Sequence, residues 1–285
     1  MITGYFNGET LHQLEEKCLE KKRQYQTKVM LDELIKEKTE SMRYAALIQE
    51  AISHDPESLK ELFPQSFVYN SPKDIVSGDF KWFEKAGDKV FLAVADCTGH
   101  GVPGAMLSIL GIGKLHSIVK SGETQSPAGI LDRLNKDIYT ALGKKNGHKK
   151  MHDGMDIAFF SVDLKTNVLE FSGANNGLCI IRNGVLFELK ADKQDVGSTF
   201  YQKPFTNHSF QLRSGDMVYG FSDGYKDQFG GTKGKKFTSL QLKELLVSIS
   251  HKDSSAQKNI LHETLVSWKG ELEQVDDILI MGLRV

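Results

Sequence analysis

Residues 89–119, "KVFLAVADCTGHGVPGAMLSILGIGKLHSIV", constrain the fold of this chain more than any other stretch. The opening apolar run reads as a buried strand that ends on Asp96. Gly99, Gly101, Pro103 and Gly104 then make a loop almost without side chains, and the next apolar stretch reads as a helix. A carboxylate fixed at a strand's end beside such a loop lets backbone carbonyls and a bound phosphate approach closely.

Two regions of different character flank this unit. Residues 1–55 are expected to form a separate helical segment, because from residue 9 they lack glycine and proline and are dense in Glu, Lys, Gln and Leu. Leu11, Leu14, Cys18 and Tyr25, then Leu31, Ile35, Met42, Ala45 and Ile52, recur at near-heptad spacing, while Lys21, Lys28 and Lys38 interrupt the seam. A coiled-coil homodimer and a helix packed on its own domain are both consistent with that pattern. Residues 56–285 alternate short apolar strands with Gly, Asn and Asp turns and a few helices, one of them announced by Ser126 and Pro127. The expected fold class is α+β: two packed antiparallel sheets, a β-sandwich, flanked by helices and preceded by the long N-terminal helix.

A net charge of −1 gives no reason to expect nucleic acid or an acidic membrane as partner. No uncharged run reaches membrane-spanning length, and the start of the chain lacks the pattern of a secretory signal. Cys18, Cys97 and Cys179 are widely spaced and odd in number, which argues for a reducing, cytoplasmic setting.

Asp79 in "SGDF", Asp96 in "ADCTGHG", Asp223 in "FSDGYKD" and the pair Asp276 and Asp277 in "VDDILI" each lie beside an apolar strand. Gathered at one sheet end, such acids would repel one another and take up protons unless a divalent cation joined them. Oxygen-only donors favour Mg²⁺ or Mn²⁺ over zinc. Each acid is equally at home in turn chemistry, as Asp88 and Asp216 are expected to be, and spacing alone does not decide.

The motifs "PKDIVSGDFKWF", "VADCTGHGVPGAMLSILG", "DGMDIAFFSVDLKTNVLEFSGANNGLCIIRNG", "YGFSDGYKDQFGG" and "KGELEQVDDILIMG" resemble, in order, the metal-dependent (PPM) protein phosphatases, in the bacterial branch named for stage II sporulation protein E. The resemblance covers roughly residue 63 to the end and makes residues 56–285 the expected catalytic domain. It implies two Mn²⁺ or Mg²⁺ ions, with Asp96 bridging them, the Cys97 carbonyl on one, and Asp79, Asp223 and Asp276 completing the set. Asp277 is the alternative to Asp276 or its supporting partner. A hydroxide bridging the metals would attack phosphoserine or phosphothreonine, and His100 is the candidate proton donor to the leaving oxygen. Gly99 and Gly101 are expected beside the phosphate or at the helix start. Lys81 is expected to aid phosphate binding or face solvent, and Asn175 and Asn176 to lie near the site. Asp195, where relatives commonly carry proline, is expected to loosen its loop. The substrate class implied is a small STAS (anti-anti-sigma) protein, with regulation through the N-terminal helix from a sensor domain or partner. A cysteine-phosphatase reading of Cys97 fails for want of an Arg in its loop. A zinc site from Cys97 and His100 lacks a second ligand pair. A pseudophosphatase scaffold remains the alternative from a different functional class.

Overall fold

The computed structural model describes residues 8–53, 55–143, 153–198 and 203–285. Helix α1 spans Gly8–Ile52 and α2 Pro56–Leu62, the latter capped by the Asp55 carboxylate, which accepts from the Glu57 N–H. Strands β1 (Ser66–Ser71), β2 (Phe80–Ala86) and β3 (Lys89–Cys97) follow, then α3 (Gly101–Ser121) and α4 (Pro127–Leu142). As expected, Ser126 caps α4 and Pro127 occupies its first turn. Strands β4 (Met155–Asp163), β5 (Val168–Ala174), β6 (Leu178–Arg182), β7 (Val185–Leu189), β8 (His208–Gln211) and β9 (Met217–Phe221) form the meander. The chain closes with α5 (Gly224–Asp227), the small strands β10 (Phe229–Gly230) and β11 (Lys235–Lys236), helices α6 (Ser239–Ile249) and α7 (Ser254–Lys269), and β12 (Ile278–Arg284).

By packing, the chain divides after Ala45 into two units, the second running Ala46–Val285. In the first, Leu19, Tyr25, Val29, Met30, Leu31, Leu34 and Ile35 of α1 are exposed. Consecutive Val29, Met30 and Leu31 spread around the helix instead of forming one seam. The side chains of Leu11 and Leu14 lie outside the described residues.

The second unit is the sandwich. One sheet has the order β1-β12-β9-β6-β7, the other β2-β3-β4-β5-β8, both antiparallel. Strand β3 shows why its sequence is apolar throughout. Val90, Leu92 and Val94 join Phe160, Val218, Leu279 and Met281 between the sheets. Phe91, Ala93 and Ala95 face the opposite way, onto Leu115, Leu131 and Leu134 of α3 and α4. Helices α6 and α7 cover the other sheet through Leu242, Leu246, Leu261 and Leu265. By the two-residue period of a strand, Asp96 follows Val90, Leu92 and Val94 onto the inter-sheet side, at the sandwich's end.

Helix α3 is long and apolar enough, by length and composition, to cross a membrane. Its apolar character has a structural cause here, since Leu107, Ile112, Leu115, Ile118 and Val119 are buried against the sandwich.

Phe159 is fully buried between Trp82 and Phe91, with ring centroids 6.1 and 6.2 Å away. Phe159→Ala is expected to cost about 3–5 kcal/mol, read as a lower urea midpoint. An unchanged midpoint would contradict this packing.

Candidate metal centre at the end of the sandwich

A cleft of about 190 Å³ opens at the end of β3, lined by Asp96, Cys97, Thr98, Gly99, His100, Asp156, Asp223 and Asp276. The antiparallel register sets Asp96 opposite Asp156 of β4. Asp223 stands at the N-cap of α5 without capping it, so its carboxylate is left for the cleft. Asp79, just before β2, is buried, and its Oδ2 has no hydrogen-bond partner.

The loop after Asp96 is shaped by close backbone approach. A Cβ on Gly78 would lie 2.7 Å from the Gly99 carbonyl oxygen and 3.3 Å from that of Cys97. Gly99 and Gly101 adopt φ of +83° and +66°, a region that side chains disfavour. The Cys97 carbonyl thus lies beside the Asp79 loop. Its thiol is wholly buried, and burial followed by the charges of Asp96, Asp79 and Asp277 pushes its pKa well up. That environment disfavours the thiolate a cysteine phosphatase requires.

Burial is the first cause of the raised carboxyl pKa values here. It pushes Asp96 up to about 8, reinforced by Asp223, Asp276 and Asp156. Asp79 is raised well above the usual range by burial and then by Asp96, despite a hydrogen bond with Ser222. Asp156 is raised by burial against a bond from Asn175 Nδ2, 2.8 Å from its Oδ1. Asp276 is raised by burial, with Asp223 and Asp277 adding to the effect.

The adjacent acids Asp276 and Asp277 are used differently. Asp277 is buried, and its two oxygens accept the Lys73 and Gly78 backbone N–H groups, each at 2.7 Å. Asp276 faces the cleft and accepts the Asp277 N–H at 2.9 Å. Among the described residues no three His, Cys, Asp or Glu side chains already form a closed ion cage. The donor chemistry nevertheless suits a hard cation: carboxylates on several sides, a partnerless oxygen on Asp79 and a nearby carbonyl.

His100 lines the cleft at the N-cap of α3. Its Nδ1 is 2.8 Å from Asp74 Oδ2, and its Nε2 is 3.2 Å from Lys73 Nζ. Lys81 is not in the cleft. It alternates with Phe80 and Trp82, which face the α3 and α4 core, and so leaves on the opposite side of an edge strand. There its Nζ lies 3.0 Å from Ser53 Oγ, in a neighbouring cavity of about 430 Å³ that Gln49, Glu50, Asp55 and Asp79 also line. Asp195 does not free its loop either, because the next residue, Val196, exchanges two 2.9 Å backbone bonds with Met155. Residues 199–202 of that segment lie outside the described residues. Asp88 sits at the β2–β3 turn and Asp216 pairs with Arg182 at 2.6 Å, both away from the cleft as expected.

Four residues escaped the sequence reading. Asp156 was signalled by being in phase with Ala158 and Phe160, the inter-sheet side of an otherwise apolar strand. Lys73 and Asp74 gave no signal beyond lying in the "PKD" loop. Gln49, at the end of α1, gave none. Its Nε2 donates to the Ser77 carbonyl at 2.6 Å and to Ser108 Oγ at 2.8 Å, and its Oε1 accepts from Ser77 N at 3.1 Å.

Comparison with known proteins agrees with this architecture. The profile of the family described as Stage II sporulation protein E (SpoIIE) matches residues 86–285. Phosphoserine phosphatase RsbU of Bacillus subtilis is 24% identical over 218 residues, 75% of this chain and 61% of that protein, so the chain spans less than two thirds of the relative's length. The solved SiaA-PP2C domain of Pseudomonas aeruginosa superposes with a TM-score of 0.80 at 29% identity, covering 88% of this chain and 98% of that one. The PP2C phosphatase domain and regulatory-domain fragment of SpoIIE from Bacillus subtilis shares the fold with a TM-score of 0.61 at 20% identity, over 77% of this chain and 61% of that one. With the match covering more than half its length, the chain belongs to the family described as Stage II sporulation protein E (SpoIIE).

Proposed function

We propose that this chain hydrolyses phosphoserine or phosphothreonine on a regulatory protein, of the STAS type, in a reaction that depends on two Mn²⁺ or Mg²⁺ ions. The observation that carries this reading is the single cleft in which Asp96, Asp156, Asp223 and Asp276 meet, with Asp79 behind Asp96. Asp96, Asp79, Asp223, Asp276 and the Cys97 carbonyl would hold the ions, and Asp156 adds a fifth carboxylate. Asp277, spent on two backbone N–H groups, fixes the loops. Bound there, a pair of divalent cations supplies Lewis acidity, acidifying water and offsetting phosphoryl charge.

The chain's own residues do the rest. Asp74 holds His100 through Nδ1, and Nε2, which accepts from Lys73 in this arrangement, would carry a proton to the departing seryl or threonyl oxygen once Lys73 turns to the phosphoryl group. Lys73 brings positive charge to the same spot, beside His100 Nε2. The loop at Gly99 and Gly101 leaves room for a phosphoryl group by presenting no side chains of its own.

Regulation enters through α1. Gln49 clamps both backbone groups of Ser77, and Ser77 Oγ in turn accepts the Asp79 N–H at 3.1 Å. A shift of α1 therefore moves the backbone on which Asp79 is carried. The input to α1 would come from a sensor domain or partner, or from a second copy of the helix.

In p-nitrophenyl phosphate hydrolysis, the wild type is expected to require Mn²⁺ or Mg²⁺, and Asp96→Asn to lose at least about 100-fold in rate while keeping its circular dichroism. A folded wild type without turnover would favour the pseudophosphatase.

The carboxyl pKa values set a pH dependence. The folded pKa of Asp96, about 8, exceeds that of an ordinary carboxylate, so the folded state binds more protons. That stabilisation is full below about pH 4 and is lost as pH rises toward 8. In EDTA, the melting temperature should fall from pH 5.5 to 8, less so in Asp96→Asn, and Mn²⁺ should remove the slope. A flat wild-type profile in EDTA would contradict the carboxylate cluster.

Gln49→Ala should raise the Mn²⁺ concentration for half-maximal activity about tenfold, as loss of a supporting contact behind a ligand does. An unchanged Mn²⁺ dependence would detach α1 from the site.

A further inference from the structure

Between the cleft acids Asp223 and Asp276 the chain carries a feature that hydrolysis does not use. Strands β10 and β11 pair antiparallel, Phe229 with Lys236 and Gly230 with Lys235, in a small hairpin after α5. From Phe229 to Lys236 the sequence "FGGTKGKK" carries three lysines and no acid, in a chain whose net charge is −1. Residues 231–236 are all exposed. Lys236 pairs with Asp227 at 3.2 Å, whereas Lys233 and Lys235 make no ion pair or hydrogen bond among the described residues. Phe229, 41% exposed, adds an apolar surface, with Lys236 Nζ 5.9 Å from its ring centre.

The hairpin is rigidly rooted between two cleft acids. Thr238 N donates to the Lys226 carbonyl at 2.8 Å, three residues after Asp223. Gln228 Nε2 donates to the Glu273 carbonyl at 3.0 Å, and Gln228 Oε1 accepts Val275 N at 3.1 Å, next to Asp276. Trp268 Nε1 donates to the Gln228 carbonyl at 3.0 Å, while Gly231 N donates to the Trp268 carbonyl at 2.8 Å. Lys226, at the stem, lies close enough to the cleft to act on Asp156. Gly231 of the hairpin also borders an open depression with Glu263 and Trp268 of α7. Like charges set side by side without partners do not help the fold. Their placement on a fixed stem suits recognition of an anionic segment that enters the cleft.

We propose that the lysine hairpin is a docking surface for acidic residues flanking the phosphorylated serine or threonine of the substrate protein. Lys233 and Lys235 meet the flanking carboxylates, and Phe229 offers the apolar contact beside them. The proposal rests on the phosphatase reading above and specifies the substrate: a phosphorylated residue in an acidic context.

The test uses two synthetic phosphoserine peptides of equal length, one with glutamates and one with lysines around the phosphoserine, and p-nitrophenyl phosphate as a substrate without flanks. At low salt the wild type should show kcat/KM about tenfold higher for the glutamate peptide, a gap that shrinks in 0.5 M NaCl as screening increases. Lys233→Glu/Lys235→Glu should abolish that preference and leave p-nitrophenyl phosphate kinetics unchanged. Equal hydrolysis of both peptides by the wild type, or a preference that survives in the double variant, would overturn the proposal. So would stronger inhibition by a single-stranded oligonucleotide than by the unphosphorylated glutamate peptide, which would assign the hairpin to nucleic acid. Failure to hydrolyse p-nitrophenyl phosphate would instead count against the phosphatase reading. Docking would then be read by fluorescence anisotropy of the glutamate peptide, whose Kd the double variant must raise about tenfold.

Discussion

The carboxylates of Asp79, Asp96, Asp156, Asp223 and Asp276 are forced toward one another at the end of two packed sheets, and their repulsion is the constraint the rest of the molecule answers. They cannot move apart, because each is carried on a strand end or on a loop held by backbone bonds. Asp96 is fixed by pairing on both sides of β3. Asp79 follows Gly78, whose N–H is held by Asp277, and precedes an edge strand packed on α3. In the protein alone the conflict favours protonated carboxyls, with Asp96 pushed up to about 8 and Asp79 well above the usual range. A divalent cation relieves it better, and the same cation makes phosphoryl transfer to water feasible.

This arrangement explains why so much of the sandwich is devoted to rigidity. Sheets buried on both faces hold the strand ends that carry the acids, and glycines at 78, 99 and 101 let the β1–β2 and β3–α3 loops close on one another. Rigidity also makes the site addressable from outside. Gln49 bonds to the Ser77 backbone, two residues from Asp79, so under the proposed regulation a small displacement at the end of α1 would be delivered to one carboxylate of the cluster. The lysine hairpin is tied by Gln228 to the loop before Asp276, which puts the proposed docking surface and the proposed metal centre on one fixed frame.

The sandwich was legible because burial on two faces leaves a distinctive continuous apolar run, as in β3, and because Ser126 with Pro127 announces a helix start in plain chemical terms. The acids at strand ends were legible as a set only through the order of several long motifs, since any single Asp beside glycine is ordinary turn chemistry. Lys81 was misplaced because nothing in a sequence tells which face of an edge strand is covered; the pairing of β2 with β3 decides it. Asp156 was hidden inside a strand pattern. Gln49 was illegible because its role depends on Ser77 and Ser108, contacts 28 and 59 residues away.

The central claim is that this carboxylate cluster exchanges protons for divalent cations. Calorimetric titration of Mn²⁺ into the metal-free protein at pH 7, repeated in buffers of different ionisation enthalpy, counts the ions bound and the protons released together. The account predicts two ions per chain with release of at least one proton, and weaker binding with less release in Asp96→Asn. Absence of binding at millimolar Mn²⁺, or binding without proton release that Asp96→Asn leaves unchanged, would contradict it.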